Sequence, residues 1–246
     1  MRVGSLFSGG GLGDLGFMMA GCEIVFQVEI DDYCQKILNL RWPDVPKWRD
    51  IREVKGAELP KCDILAGGFP CQDVSLAGKR AGIEGQRSGL WKQYLRIICE
   101  LRPQYIVVEN VTGLLSDGMG VVLGDLAACG YDSEYDCIPA SAFNAPHRRD
   151  RVWICAYPKR SRLQGRVCKS FSEAEKREGW LQQFERLLCS ERELAIPTGK
   201  SGGVSDGVSN RIHRLKLLGN GQVPFVTKWI AERIIEFKNA PPATGG

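Results

Sequence analysis

The sequence predicts an α/β chain with a mixed, mostly parallel sheet and a small irregular region inserted late. Three observations carry the prediction. Short β-branched and apolar runs alternate with helix-like stretches through the first 156 residues. Regular patterning then fails from Pro158, and helical order returns near Pro224.

Strands are expected at 2–7, 23–28, 63–66, 105–108, 131–138 and 152–156. Helices are expected between them at 14–20, 32–41, 89–102 and 121–129, the last closed by Gly130 in the left-handed conformation that ends many helices. Beyond Pro158 the chain is first polar and basic (159–170), then helix-like in period (173–188), then rich in Gly and Ser (196–210). Pro224 fits the first turn of a final helix through Trp229 and Ile234 to about residue 237, because its ring presets φ where the N–H has no partner to lose. The expected organisation is a main domain at 1–157, an inserted region at 158–210, a returning segment at 211–240 and a tail at 241–246.

Composition excludes several classes. No apolar run approaches the roughly 20 residues that span a bilayer, and the N-terminus has no basic segment followed by a long apolar core, so neither a membrane protein nor an exported one is expected. The 10 cysteines are scattered from Cys22 to Cys189 with no Cys-x-x-Cys pair, which reads as reduced, buried thiols rather than a disulfide framework. With 2 histidines, His147 and His213, and no paired-ligand spacing, no metal site is expected. Of 33 Lys and Arg, 13 fall between Lys159 and Lys216 against 7 Asp and Glu there, so the net +4 is concentrated late in the chain. That excess suits a polyanion such as nucleic acid, although a solvated charged face has the same composition.

Four places carry residues suited to chemistry. After the first strand, Phe7-Ser8-Gly9-Gly10-Gly11-Leu12-Gly13 leads into a helix, a turn that brings bare backbone and free N–H groups to a nucleotide-type ligand, with Glu29 at the end of the second strand suited to a ribose diol. The spacing Gly11-x-Gly13-x-x-Gly16 also fits a dinucleotide fingerprint, so a dehydrogenase is an alternative. Ala66-Gly67-Gly68-Phe69-Pro70-Cys71-Gln72 places a thiol on a loop at the carboxyl edge of the sheet, among turn-making and polar residues that include Ser75. The basic stretch with Lys79 and Arg80 beyond it could lower a thiol pKa or hold phosphate. Glu109-Asn110-Val111 brings a carboxylate to the same edge, and Arg149 and Arg151, two apart on a strand, share a face from which both guanidinium forks can converge on one planar or anionic target.

In this order the features resemble the DNA cytosine-C5 methyltransferase family over most of residues 3–156 and again at 218–225. The resemblance implies a Rossmann-like S-adenosylmethionine-dependent fold. Phe7, Gly9, Gly11 and Leu12 look like its S-adenosyl-L-methionine loop, Glu29 and Ile30 its ribose and adenine contacts, and Asp50 and Ile51 a further adenine-contacting pair. Pro70-Cys71-Gln72 resembles the catalytic motif, Arg87-Ser88-Gly89-Leu90 a cofactor-side motif, Glu109-Asn110-Val111 the acidic motif and Arg149-x-Arg151 the paired arginines. Leu218-Gly219-Asn220-Gly221-Gln222-Val223-Pro224 resembles the segment that returns to complete the cofactor pocket. Phe69 stands where a second proline is frequent, and His147 where glutamine is frequent.

By that resemblance Cys71 adds to C6 of a flipped-out cytosine, Glu109 protonates or hydrogen-bonds the N3 side, Arg151 holds O2, and Arg149 orients the loop or Glu109. Loop 71–86 is expected to close over DNA, with Gln72, Ser75, Lys79 and Arg80 facing it. Region 158–210 is expected to recognise a short target, Arg160, Arg162 and Arg166 meeting phosphate. The expected partner is double-stranded DNA, with a cognate restriction endonuclease acting separately, and the expected protein is a monomer in the cytoplasm of a bacterium or encoded by a phage. An RNA cytosine methyltransferase would carry the same motifs.

Overall fold

The computed structural model describes residues 1–70, 89–143, 149–159 and 221–239. Seven strands form one sheet: β1 (Arg2–Leu6), β2 (Glu23–Val28), β3 (Lys47–Trp48), β4 (Ile64–Gly67), β5 (Tyr105–Val111), β6 (Tyr131–Pro139) and β7 (Asp150–Pro158), in the order β3-β2-β1-β4-β5-β7-β6. The first five run parallel, and β7 lies antiparallel to both β5 and β6. The expected mixed, mostly parallel sheet is what forms.

Helices α1 (Leu12–Met19), α2 (Asp32–Arg41), α3 (Gly89–Leu101), α4 (Met119–Ala128) and α5 (Pro224–Asn239) accompany the strands. Their boundaries follow local chemistry. The Asp31 carboxylate accepts from the N–H groups of Tyr33 and Cys34, 3.0 and 3.1 Å, and starts α2 at the expected residue. In α3, Trp91, Tyr94, Ile97, Ile98 and Leu101 recur at helical spacing and are buried. That helix ends one residue early because Arg102 turns left-handed at φ 53°, ahead of Pro103.

Each face of the sheet has its own core. Alternate residues of β5 divide between them: Ile106 and Val108 pack with Trp91, Ile97 and Ile98 of α3 and Val122 and Leu126 of α4. Tyr105 and Val107 pack with Phe17 of α1 and with Val226, Trp229, Ile230 and Ile234 of α5. Burial on both faces is why β5 reads as an unbroken apolar run. Gly16 brings α1 against α5, since a Cβ there would collide with Pro224 O.

Four expectations change. The sequence gives no strand at Lys47–Trp48, a two-residue edge held by Gln27 and Val28 of β2. β5 continues beyond Val108 through Val111, because β7 pairs with it from Ile106↔Ala156 to Val111↔Arg151. Glu109 therefore sits within a ladder rather than just past its end. β7 is correspondingly longer, at Asp150–Pro158. The thiols also differ from the expected burial: among described cysteines only Cys22 and Cys155 are buried, while Cys99 and Cys137 are exposed.

Candidate active site

In the order β3-β2-β1-β4-β5, the chain moves outward from β1 in one direction and from β4 in the other. The crevice at the carboxyl ends of β1 and β4 is thus the topological switch point, where open α/β sheets bind ligands. One wall comes from β1 and β2, the other from β4, β5 and β7.

On the β1 side, Phe7, Gly9 and Gly11 all have positive φ, at 53°, 56° and 77°. Glycine adopts this backbone freely, whereas Phe7 does so under strain, held with its ring 6.2 Å from Tyr94. Gly11 caps α1, and Leu12 opens it. Glu29 fastens the turn: its Oε2 accepts from Gly9 N–H at 2.7 Å and its Oε1 from Asp31 N–H at 2.8 Å. Ile30 beside it is 56% exposed, an apolar surface at the rim.

Behind the turn lies Asp14, which sequence reasoning left unremarked. Ser5 Oγ donates to its Oδ1 at 2.6 Å and Gln27 Nε2 to its Oδ2 at 2.7 Å. Burial nevertheless pushes the carboxyl up to about 6, the two hydrogen bonds opposing the shift and Glu29 adding to it. An acid in the first turn of the helix, with polar Ser5 and Gln27 on flanking strands, was the available signal. Asp50 stands farther out, its carboxylate gripped by Arg52 Nε at 2.9 and 3.0 Å, so Arg52 holds it below the usual carboxylate range. Ile51 is buried in the α3-side core, and Leu90 packs against it.

On the other wall, Pro70 is exposed at the end of the segment after β4, and Phe69 is buried against Trp91 at 5.3 Å. Asn110 secures this segment by donating from Nδ2 to Phe69 O at 3.1 Å. The register Glu109↔Trp153 and Val111↔Arg151 puts Glu109 and Arg151 diagonally on one face. Arg151 Nε lies 3.0 Å from Glu109 Oε1, off the line of a hydrogen bond, so the contact is an ion pair. Glu109 is 7% exposed. Burial pushes its carboxyl up to about 7 against the pull of Arg151 first and Arg149 second. Burial and Arg151 in turn lower the pKa of Arg149.

The crevice therefore gathers Phe7, Gly9, Gly11, Leu12, Glu29 and Ile30 on one side and Pro70, Glu109, Arg149 and Arg151 on the other. Cys71, Gln72, Ser75, Lys79, Arg80, Arg160, Arg162, Arg166 and Asn220 lie outside the described residues. A buried acid that titrates near neutral pH, beside two guanidinium groups and across from a nucleoside-type turn, suits protonation of a heterocycle while a second ligand reacts with it.

A family model described as C-5 cytosine-specific DNA methylase matches residues 1–191. The Type II methyltransferase M.NgoFVII of Neisseria gonorrhoeae is 36% identical over 159 residues, covering 62% of this chain and 42% of that protein. M2.BsuMI of Bacillus subtilis, also a Type II methyltransferase, is 38% identical over 164 residues, covering 63% and 42%. The chain spans less than half the length of these relatives. Among solved structures, the S. pombe Dnmt2 methyltransferase superposes with a TM-score of 0.65 over 98% of this chain and 100% of that one. At 19% identity that likeness concerns the fold.

Proposed function

The chain belongs to the C-5 cytosine-specific DNA methylase family, and on that premise we propose that it methylates C5 of cytosine in double-stranded DNA, with S-adenosyl-L-methionine as donor and S-adenosyl-L-homocysteine as product. One observation carries the reading: the Gly9–Gly11 turn with Glu29 and the buried Glu109–Arg151 pair face one crevice at the switch point.

The β1 side fits that donor. Left-handed backbone at Gly9, where a Cβ would meet nothing within 4 Å, lets a ligand approach closely, while Gly11 makes room for the Trp42 ring. Each Glu29 oxygen retains a lone pair for a ribose hydroxyl, and exposed Ile30 offers an apolar face to adenine. When bound, S-adenosyl-L-methionine supplies an electrophilic methyl group.

The chain's own residues then make C5 reactive. Cys71, the residue after Pro70, adds its sulfur to C6, and Glu109 gives a proton to N3 as the ring takes up electron density. A carboxyl pushed up to about 7 by burial is still protonated in about half of the molecules at pH 7. Arg151 stabilises the O2 side, and Arg149 biases Glu109 by its charge. Once C5 carries the methyl group, loss of the C5 proton restores the C5–C6 double bond and expels the Cys71 thiolate, and the N3 proton returns to Glu109. C6 is inaccessible in a stacked duplex, so the cytosine is flipped out, at a few kcal/mol.

Region 158–210, with its basic residues, is assigned to target recognition, and a separately acting endonuclease is the natural partner given the Type II relatives. We assign the protein to the cytoplasm of a bacterium or phage-infected cell, as a monomer. Among the described residues no helix is long and apolar enough to cross a membrane. The test is expression in a methylation-free host followed by bisulfite sequencing, beside Cys71→Ala. Methylation at one short motif, lost in the variant, is expected; methylation equal in both would overturn the mechanism.

A further inference from the structure

Gln222 has no role in the chemistry above, yet its side chain lies where the two walls of the crevice meet. It stands two residues before α5, whose packing on α1 fixes its position. A Cβ on Gly13, in the first turn of α1, would collide with Gln222 Oε1, so the amide occupies space that this glycine leaves open. On the other side, a Cβ on Gly68 would lie 2.6 Å from Glu109 Oε2 and 3.5 Å from Gln222 Nε2. The acid's second oxygen and the amide nitrogen thus border one small space over Gly68.

The two oxygens of Glu109 are unequally served. Oε1 faces Arg151 at 3.0 Å, while Oε2 has no hydrogen-bond donor among the described residues and is turned toward Gly68. Gln222 likewise makes no hydrogen bond among the described residues, although its amide carries two donor hydrogens. A short swing of this side chain over Gly68 brings the two together, with no Cβ in the way.

We propose that Gln222 is a positioning residue for Glu109, its Nε2 donating to Oε2 and tying the acid to the donor-side turn through α1. With Arg151 on one oxygen and Gln222 on the other, the carboxyl is held in the plane in which it meets the base. The amide donor favours the ionised acid, which limits how far burial raises it. Among the described residues the charged groups acting on Glu109 are Arg151 and Arg149. The inference rests on the methylase reading for the purpose of the contact, but not for its existence.

The test is the titration of Glu109 by carbon-13 NMR in the full chain, assigned by its loss in Glu109→Gln. Burial without the Gln222 contact puts the carboxyl at about 7, so with the contact the unaltered protein should titrate below that. Gln222→Met keeps the volume against Gly13 and removes the donor; it should move the midpoint up by about half a unit to one unit. Gln222→Glu, of the same shape, should move it up further through like charge. Single-turnover methyl transfer should fall about tenfold in Gln222→Met with DNA affinity unchanged, as expected for lost orientation. Midpoints unmoved in both variants would overturn the proposal, since a purely space-filling role predicts no change with Met. A shifted midpoint in a protein that methylates no DNA would leave the contact standing and reject the methylase reading.

Discussion

Two of the buried carboxylates about the crevice, Asp14 behind the turn and Glu109 on the opposite wall, are treated differently by the fold. Asp14, 2% exposed, has a hydrogen-bond donor on each oxygen, from Ser5 and from Gln27. Glu109, 7% exposed, has an off-line guanidinium at one oxygen and an open space at the other. Burial lifts both, to about 6 and about 7. The difference separates scaffold from chemistry. A carboxylate with a close donor on each oxygen stiffens the donor turn, whereas Glu109, whose Oε1 meets Arg151 without a hydrogen bond, keeps lone pairs that can exchange a proton with a ligand.

Breaking the open side should cost most. Glu109→Gln keeps shape and removes the acid, so single-turnover methyl transfer should drop about 10²–10⁴-fold while DNA binding is retained. In the unaltered enzyme kcat/KM should fall as pH rises past about 7, because the proton that Glu109 delivers is then lost. A flat kcat/KM profile from pH 6 to 9 would remove Glu109 from that role.

An intermediate effect is expected on the donor wall. Glu29→Gln converts one acceptor oxygen into a donor that opposes the N–H of Gly9 or Asp31. S-adenosyl-L-methionine affinity measured by calorimetry should weaken about tenfold, as for loss of a charge-assisted hydrogen bond. DNA affinity should be unaltered.

The smallest effect on activity, and a distinctive one on stability, belongs to Asp14. Its folded pKa lies above its unfolded value of 3.8, so the folded state binds the proton more tightly. The resulting loss of stability is absent below about pH 4, develops as pH rises to about 6, and is complete above it. Urea melts of Asp14→Asn should therefore gain on the unaltered protein across that window, by up to about 3 kcal/mol at about 1.4 kcal/mol per pKa unit. Glu109 is common to both proteins and cancels. A difference independent of pH would show that Asp14 is not protonated in the fold.

Much of this was legible because local rules decide it. The glycines of the donor turn and the apolar runs of β2 and β5 each state their structure within a few residues. Glu29 and the Arg149/Arg151 spacing could be placed at the sheet edge from strand ends alone. What stayed hidden depends on partners remote in the chain. β3 is too short to carry a pattern and exists through pairing with β2. β5 extends past Glu109 because β7 supplies a ladder from about forty residues away. Asp14 becomes a network only once Ser5 and Gln27 flank it, and Gln222 meets Gly13 and Gly68 only after α5 docks on α1. No periodicity encodes such meetings.

The central claim is that Cys71 bonds covalently to the target base, and trapping tests it most directly. A duplex pool containing 5-fluorocytosine, incubated with the full chain and S-adenosyl-L-methionine, blocks the last step, because fluorine at C5 cannot leave as a proton does. Peptide mass spectrometry should find the nucleotide attached to Cys71, and the adduct should require the methyl donor. Attachment at another residue, or none in a preparation that methylates ordinary DNA, would contradict it.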